Sequence, residues 1–300
     1  MKFVCYKEYD DPEEPTFPGI LYKGKTLPFA RVAAVADAIH PRALLVPEDL
    51  NQLIASLHLF TPLIKELERA KIMDQIWQEV GVTVVAPLPR PNRIFGIGRN
   101  YSEHATELGN DIPSEPIVFN KTENTVIGPD KAIVIPPNAG RIDFEGELAV
   151  VIGRPGKHIT EADAMSHVAG YTLFNDVTAR DEQKRLQARS LPWYMAKNYD
   201  TFGPLGPCLV TADEIKDPST LEITTRVNDQ VKQQGKLSDL LFSIPKLIAF
   251  ISSRIALEPG DVIATGTPPG VGPIVPGDVV EIEIPEIGIL SNPVAAEEDF

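Results

Sequence analysis

The pattern of hydrophobic and polar positions divides the chain into two parts. Residues 1 to about 85 have a polar start, a helical pattern from Pro47 to Glu79 and no cluster of potential ligands. The segment APLPRPNR, residues 86–93, then carries three prolines, which stiffen a connection and interrupt regular elements. We therefore predict a small N-terminal domain over residues 1–85 and a main domain over residues 86–300.

The main domain has the pattern of a strand-rich fold. Short β-like runs separated by Gly, Pro and Asn occur in RIFGIG, PIVF, AIVI, ELAVVIG, AGYTLFND, LEITTRVN, DVIATG and DVVEIEI. Helical patterns are fewer, over residues 178–187 and 243–255, and the second presents an apolar face of Leu247, Ile248, Ile251 and Ile255. Without a regular βαβ alternation, this pattern predicts an α+β fold whose mixed sheet forms a roll or sandwich.

Composition and charge limit the classes of partner. The 300 residues carry a formal net charge of -14, which disfavours nucleic acid and anionic membranes as partners because both are negative. No apolar run approaches the ~20 residues needed to span a bilayer, and the N-terminal residues lack the pattern of a secretory signal or an Arg- and Ser-rich leader. Cys5 and Cys208 lack any CxxC spacing, so no disulfide framework is indicated. We expect a cytoplasmic protein.

Carboxylates cluster in the segment Asp143-Phe144-Glu145-Gly146-Glu147, which leads into an apolar run. Strand alternation places residues two apart on one side, so the three acidic residues share a face that is either an exposed edge or a metal site. Asp176 ends another β-like run, where a helix N-cap is the simpler reading. Together with Glu145 and Glu147, however, it completes an all-oxygen set suited to Mg²⁺ or Mn²⁺ rather than zinc.

Other polar residues are candidates for chemistry, each with a simpler alternative. His104 and Glu107 are three apart and can form a base and its orienting carboxylate, although such pairs also occur on solvated helix surfaces. Lys121 and Lys197 each follow an apolar or aromatic run, which favours a pocket over the usual exposed position. The segment TGTPPGVGP, residues 265–273, permits close backbone approach to an anion or forms an ordinary tight turn.

Taken together, the motifs resemble the fumarylacetoacetate hydrolase family, in the catalytic domain found in acylpyruvases and related isomerases and decarboxylases. They run in order from about Arg93 as GRNYSEHATE, SEPIVFNK, DFEGELAVVIG, GYTLFNDVTARDEQ, LPWYMAKNYDTFGPLGP and LEPGDVIATGTPPGVGP. The resemblance covers roughly two-thirds of the chain, because residues 1–85 match only in the loose sense that many relatives have a variable N-terminal domain.

The resemblance implies a β-roll catalytic domain, a homodimer and a set of site residues. Glu145, Glu147 and Asp176 stand at the positions of the family's Mg²⁺ or Mn²⁺ ligands. His104 and Glu107 match a water-activating dyad on a lid segment. The positions that in relatives contact the substrate or its oxygens are matched by Lys121, Gln183, Lys197, Gly266 and Thr267.

The predicted activity is metal-dependent hydrolysis of a carbon-carbon bond in a small oxo-acid, a 2,4-dioxo acid such as an acylpyruvate or fumarylpyruvate. His104 would activate water, and Lys197 or Lys121 would help to stabilise the departing pyruvate enolate. Enzymes that need only the enolate are alternatives, namely an oxaloacetate decarboxylase or tautomerase and a dienol dicarboxylate isomerase. A non-catalytic scaffold stabilised by its metal is a further alternative.

Overall fold

The computed structural model describes residues 1–8, 14–39, 41, 45–76, 81–102 and 111–299. Its strands are, in chain order, β1 (Lys2–Lys7), β2 (Phe17–Tyr22), β3 (Lys25–Pro28), β4 (Thr83–Val85), β5 (Ile94–Gly98), β6 (Ile117–Lys121), β7 (Val126–Ile127), β8 (Ile133–Ile135), β9 (Ile142–Phe144), β10 (Gly146–Ile152), β11 (Val168–Asn175), β12 (Thr178–Ala179), β13 (Gly203–Thr211), β14 (Glu222–Val227), β15 (Gln230–Lys236), β16 (Val262–Ala264), β17 (Gly272–Pro273), β18 (Val279–Ile284) and β19 (Gly288–Ala296).

Helices are fewer than strands in the described part of the chain. They are α1 (Phe29–Ile39), α2 (Leu50–Arg69), α3 (Met73–Ile76), α4 (Arg180–Ala188), α5 (Tyr194–Lys197) and α6 (Ile244–Ser252). Short 3-10 helices occupy Glu123–Thr125, Ala164–His167, Pro218–Thr220, Leu237–Asp239 and Glu297–Asp299. None of the helices in these described ranges combines the length and apolar character that crossing a bilayer requires.

The sheets are mixed, which confirms the predicted α+β class. Within the described residues, the largest sheet has 11 strands in the order β3-β2-β1-β13-β11-β10-β16-β5-β6, with β4 paired to β1 and β7 to β13. Most pairs are antiparallel, but β16 pairs with β5 in parallel. A second sheet has the order β15-β14-β18-β19-β8, and a small third sheet has the order β12-β9-β17.

Strand β10 lies at the centre of the large sheet, between β11 and β16, and all seven of its residues are buried. Successive side chains point to opposite faces of a strand. Ala149 and Val151 accordingly join one apolar cluster, while Leu148, Val150 and Ile152 join another. An apolar run without polar alternation therefore becomes a strand covered on both faces, which fixes the position of the residues at its ends.

Residues 1–85 continue the large sheet. β1 pairs antiparallel with β13, placing Lys2 opposite Val210. Phe3 and Phe29 belong to the same apolar cluster as Val151 and Phe174. The N-terminal segment thus shares a sheet and a core with the rest of the chain, and the division into two domains at residue 85 stays a prediction.

The predicted helices are present with shorter bounds. The pattern over residues 47–79 corresponds to α2 and α3. Helix α2 begins after Asp49, whose side chain accepts from the Gln52 backbone N–H. Helix α6 begins after Ser243, whose side chain accepts from the Lys246 backbone N–H. Its Leu247, Ile248 and Ile251 are buried as expected, but the prediction was wrong at Ile255, which lies beyond the helix end and is 41% exposed.

Candidate active site

Three carboxylates converge where β10 and β11 meet. Glu145 directly precedes β10, Glu147 is its second residue, and Asp176 directly follows β11. The antiparallel register places Gly146 opposite Asn175, and the Asp176 backbone N–H donates to the Glu145 carbonyl over 2.9 Å. One oxygen from each side chain lies within 4.8 Å of the others, and all three residues are buried. The structure therefore brings the three predicted metal ligands together.

This cluster fits a divalent cation. Its donors are all carboxylate oxygens, which Mg²⁺ and Mn²⁺ prefer. Burial first, and then the nearby Asp176 and Glu145, raise the pKa of Glu147 well above its usual range, as expected when clustered carboxylates lack a cation. Oδ1 of Asp176 accepts no hydrogen bond of regular geometry from the described residues, although Lys121 Nζ lies 2.9 Å away.

Asp143 is not part of this cluster, contrary to the expectation that three acidic residues of the DFEGE segment share one face. The backbone leaves the strand conformation at Glu145, between β9 and β10, so the alternation is interrupted. Asp143 is fully buried and accepts from Arg141 Nε over 2.6 Å and from Arg180 Nε over 2.8 Å. Its charge is compensated by two guanidinium groups and is not directed at the carboxylates.

Lys197 contacts the carboxylate cluster directly. Its buried Nζ donates to Glu145 Oε2 over 2.8 Å, to Asp176 Oδ2 over 2.5 Å and to Thr178 Oγ1 over 2.7 Å. Burial lowers the pKa of this ammonium group, but the attraction of Asp176 and Glu145 outweighs it, so the pKa of Lys197 is raised. Lys197 therefore remains a cation, and it lines the pocket above the cluster.

Lys121 lies behind the cluster. Its Nζ donates to the Lys197 carbonyl over 2.6 Å and to the Val177 carbonyl over 3.3 Å, and it forms an ion pair with Asp176. Burial lowers its pKa more than the attraction of Asp176 raises it. Lys121 is not among the residues that line the pocket, and its expected contact with the substrate stays a prediction.

Arg180 is a site residue that the sequence reasoning missed. Its buried guanidinium contacts Glu145 Oε1, donates from Nε to Asp143, and donates from Nη1 to Gln183 Oε1 over 2.6 Å. It thereby fixes one metal-ligand candidate and orients the predicted substrate-binding Gln183, which also lines the pocket. A basic residue three positions before Gln183 on the helix that follows Asp176 was the available signal.

The loop after β16 supports Glu147 from the other side. The Gly266 backbone N–H donates to Glu147 Oε2 over 2.8 Å, and Thr267 Oγ1 donates to the Gly146 carbonyl over 2.9 Å. Gly266 has a φ of +102°, and an added Cβ would lie 2.7 Å from Asn100 Cβ, so only glycine fits.

Gln233 is a second residue that the sequence reasoning missed. It accepts from Gly146 N and donates to Thr267 Oγ1, and it thereby links β15 to the metal-ligand segment and to the loop after β16.

A pocket opens over the three carboxylates. Its walls combine the charged cluster with an aromatic rim, and it is lined by Ile97, Gly98, Arg99, Phe119, Glu145, Glu147, Asp176, Arg180, Gln183, Lys184, Gln187, Trp193, Lys197 and Thr267. The predicted His104 and Glu107 lie outside the described residues. Their proposed roles in catalysis stay predictions.

The family model described as the fumarylacetoacetate (FAA) hydrolase C-terminal domain matches residues 93–295. The chain belongs to this family. The match covers β10 and β11 with the three carboxylates. It also covers Lys121, Lys197 and the loop after β16, as the motifs predicted.

Similar proteins of the family carry several activities. The chain is 46% identical over 220 residues to the human mitochondrial oxaloacetate tautomerase FAHD2A, an alignment that covers 71% of this chain and 69% of the relative. The solved structure of a 5-carboxymethyl-2-hydroxymuconate delta-isomerase from Mycobacterium smegmatis is 44% identical, with a TM-score of 0.66, and covers 74% of this chain and 85% of that one.

A third similar protein bears on the metal. The structure of maleylpyruvate hydrolase from Sphingobium sp. SYK-6, in complex with manganese(II) and pyruvate, is 28% identical and covers 99% of both chains with a TM-score of 0.77. The family thus includes a tautomerase, an isomerase and a hydrolase. A buried acidic triad in such a family indicates a site for a divalent metal.

Proposed function

We propose that the protein is a metal-dependent enzyme that interconverts the enol and keto forms of a small 2-oxo dicarboxylic acid, as an oxaloacetate tautomerase does. The observation that carries this proposal is the contact between the buried Lys197 ammonium group and two of the three clustered carboxylates, at 2.8 Å and 2.5 Å. A pocket that holds a cationic group beside a divalent-metal site is suited to an enolate oxygen.

The metal ligands in this proposal are Glu145, Glu147 and Asp176, and the metal is Mg²⁺ or Mn²⁺. When bound, such an ion supplies Lewis acidity, which favours the enolate form of a 2-oxo acid. The three side chains leave further coordination positions for oxygen atoms, as both ions require.

The chain's own residues supply the electrostatic part of the reaction. Tautomerisation removes one proton from the enol oxygen and adds one to the carbon next to the carbonyl carbon, or the reverse. No carbon-carbon bond breaks. Lys197 faces the pocket and remains charged, so its positive charge can stabilise negative charge on the substrate oxygen. Lys121 holds the Lys197 backbone and Asp176 in place and acts as a positioning residue.

The choice of tautomerase rests on the relatives. The proteins named as oxaloacetate tautomerases are 43–46% identical to this chain over the matched region, whereas the maleylpyruvate hydrolase is 28% identical. Proton transfer at an enolate requires an acid-base group but no activated water, and the pair His104 and Glu107 in the sequence can serve as that group.

Hydrolysis of a 2,4-dioxo acid is the second candidate. It is favoured by His104 and Glu107 in the sequence, a pair suited to activating water, and by the likeness to the maleylpyruvate hydrolase along 99% of the chain. In that case Lys197 would stabilise the departing pyruvate enolate rather than an enol in exchange with its keto form.

Association into a homodimer also remains a proposal, which light scattering of the purified protein tests.

Product analysis with a panel of substrates separates the candidates. We expect the wild-type protein, with Mg²⁺ or Mn²⁺, to accelerate ketonisation of enol-oxaloacetate, followed by its ultraviolet absorbance. Glu147→Gln should reduce the rate at least about 100-fold, because a ligand charge is lost. Glu286→Gln, at an exposed position, is the matched control.

The remaining outcomes are also decisive. Release of pyruvate from acylpyruvates at a higher kcat/KM than ketonisation would favour hydrolysis. Absence of metal-dependent turnover on every 2-oxo acid tested, by a folded and metal-loaded protein, would contradict both candidates.

A further inference from the structure

Arg99 has an unusual backbone conformation at the pocket rim. Its φ is +58°, in the left-handed region that non-glycine residues seldom adopt. The next residue, Asn100, is buried and holds this turn, since its side chain donates to the Thr265 carbonyl over 2.7 Å and accepts from Phe242 N over 2.8 Å. These hydrogen bonds anchor the backbone directly after Arg99, which lines the pocket.

An aromatic platform supports the Arg99 guanidinium. Its central carbon lies 5.7 Å from the Trp193 ring centroid, within the range of a cation–π contact. Trp193 packs edge-to-face on Phe119, and a Cβ added to Gly98 would lie 2.9 Å from its ring, so the indole is closely held. A cation–π contact involves no oxygen acceptor, so it leaves guanidinium N–H groups available to a carboxylate.

Arg99 differs from the other buried cations of the site. Arg180 and Lys197 each pair with Glu145, whereas no carboxylate among the described residues lies within ion-pairing distance of Arg99. The guanidinium is half-buried, and burial lowers its pKa although Asp111 opposes the effect. An arginine remains charged under these conditions, so a partly desolvated positive charge lines the pocket without a carboxylate partner among the described residues.

We infer that Arg99 binds the second carboxylate of a dicarboxylic 2-oxo acid. This inference rests on the proposed function, in which the first carboxylate and the 2-oxo group lie at the metal end of the pocket. A guanidinium edge binds a carboxylate through two parallel hydrogen bonds. A monocarboxylic substrate has no second carboxylate to form them. Arg99 is thereby a specificity-determining residue and takes no part in proton transfer.

Arg99→Gln and Arg99→Lys test the inference on the metal-loaded enzyme with two substrates of similar length, a dicarboxylic and a monocarboxylic 2-oxo acid. We expect Arg99→Gln to reduce kcat/KM for the diacid about 10- to 100-fold, mainly through KM, because a charge-assisted bidentate contact is lost. The kcat/KM for the monoacid should change by no more than about twofold. For the diacid, Arg99→Lys should give a kcat/KM between those of the wild type and Arg99→Gln.

Arg254 provides a matched control, since it is exposed and its guanidinium stacks on Phe250 at 4.2 Å. Arg254→Gln should leave both substrates unaffected. Equal losses on the diacid and the monoacid in Arg99→Gln, with an unchanged unfolding temperature, would overturn the inference. A selective loss in Lys184→Gln instead, the exposed lysine that also lines the pocket, would overturn it too.

Failure of the proposed function is distinguishable from failure of the inference. Calorimetry with the unreactive dianion malonate and the monoanion acetate on metal-loaded protein measures the Arg99 contact without turnover. Preferential malonate binding that is lost in Arg99→Gln supports the role of Arg99 even if the wild type turns over no 2-oxo acid. Equal binding of both anions by wild type and variant overturns it even if turnover is observed.

Discussion

The negative charges of the three pocket carboxylates are not equally compensated by nearby cations. Glu145 contacts Arg180 and Lys197, and Asp176 contacts Lys121 and Lys197. Among the described residues, Glu147 has no cation within ion-pairing distance, and its Oε2 accepts a hydrogen bond from the Gly266 backbone N–H. Glu147 is therefore the carboxylate whose pKa is raised by burial and by its acidic neighbours.

Metal binding should accordingly depend on pH. The pKa of Glu147 is raised in the metal-free protein, and a divalent cation requires the ionised carboxylate, so binding displaces a proton. We expect the affinity for Mn²⁺ to increase as the pH rises and to level off once the pH exceeds the raised pKa. Calorimetry in two buffers of different ionisation enthalpy measures the released proton. An affinity that is constant between about pH 5 and about pH 8 would contradict this assignment.

Lys197 competes with a metal for the same carboxylate oxygens, so its removal should separate binding from catalysis. We expect Lys197→Met to bind Mn²⁺ roughly tenfold more tightly, because a neighbouring positive charge is lost. Turnover should fall at least about 100-fold, and the metal-free variant should lose about 3–5 kcal/mol of stability. The matched control is Lys246→Met, since Lys246 is half exposed and 3.4 Å from Glu161 Oε1. Weaker Mn²⁺ binding by Lys197→Met would show that the ammonium group supports the metal site.

At the scale of elements, the second sheet fixes the position of the metal-ligand strand. Gly146 lies between Glu145 and Glu147 and faces Thr225 on β14 and Ile282 on β18. A Cβ at this position would lie 2.1 Å from Thr225 Oγ1 and 3.3 Å from Ile282 Cγ1. The strand can approach the neighbouring sheet this closely only because the residue between the two ligands has no side chain.

Gly146→Ala should therefore displace both neighbouring ligands. We expect a loss of about 1–3 kcal/mol in stability from the overpacking and at least about tenfold weaker metal binding. Thr225 Oγ1 is buried without a hydrogen bond among the described residues, so Thr225→Ala should be mild alone and should restore metal binding when combined with Gly146→Ala. Gly81→Ala, which adds a Cβ in open space, is the control. A double variant as weak as Gly146→Ala would show that the clash is not the cause.

At the scale of the whole molecule, much of the fold was predictable because its central strands have strong local patterns. All eight predicted strand segments contain strands, and Glu145, Glu147 and Asp176 meet as expected. Strand β13 was missed because glycine and proline interrupt its apolar pattern. Its pairing with β1 joins segments about 200 residues apart, for which no local signal exists. Arg180 and Gln233 were missed because their partners Glu145 and Gly146 are remote in sequence, although Gln183, three positions after Arg180, offered a local signal.

Removal of the metal should leave the molecule folded. The carboxylates lie at the ends of strands held by backbone pairing, and Lys121, Lys197 and Arg180 already offset most of their charge. We expect chelation to abolish turnover while the circular dichroism spectrum is retained. Resupply of Mn²⁺ at about 100 times its Kd should raise the free energy of unfolding by about 2.7 kcal/mol. Unfolding on chelation would instead favour the metal-stabilised scaffold.

The packing of Trp193 on Gly98 and Phe119 gives the protein an internal optical reporter. The chain has two tryptophans, Trp193 and Trp77, of which Trp77 lies outside the described residues. Indole emission responds to the polarity around the ring, and this ring forms part of the pocket wall beneath a guanidinium group. In a Trp77→Phe background, stopped-flow fluorescence can time the arrival of a ligand without any label, even in variants that no longer catalyse a reaction.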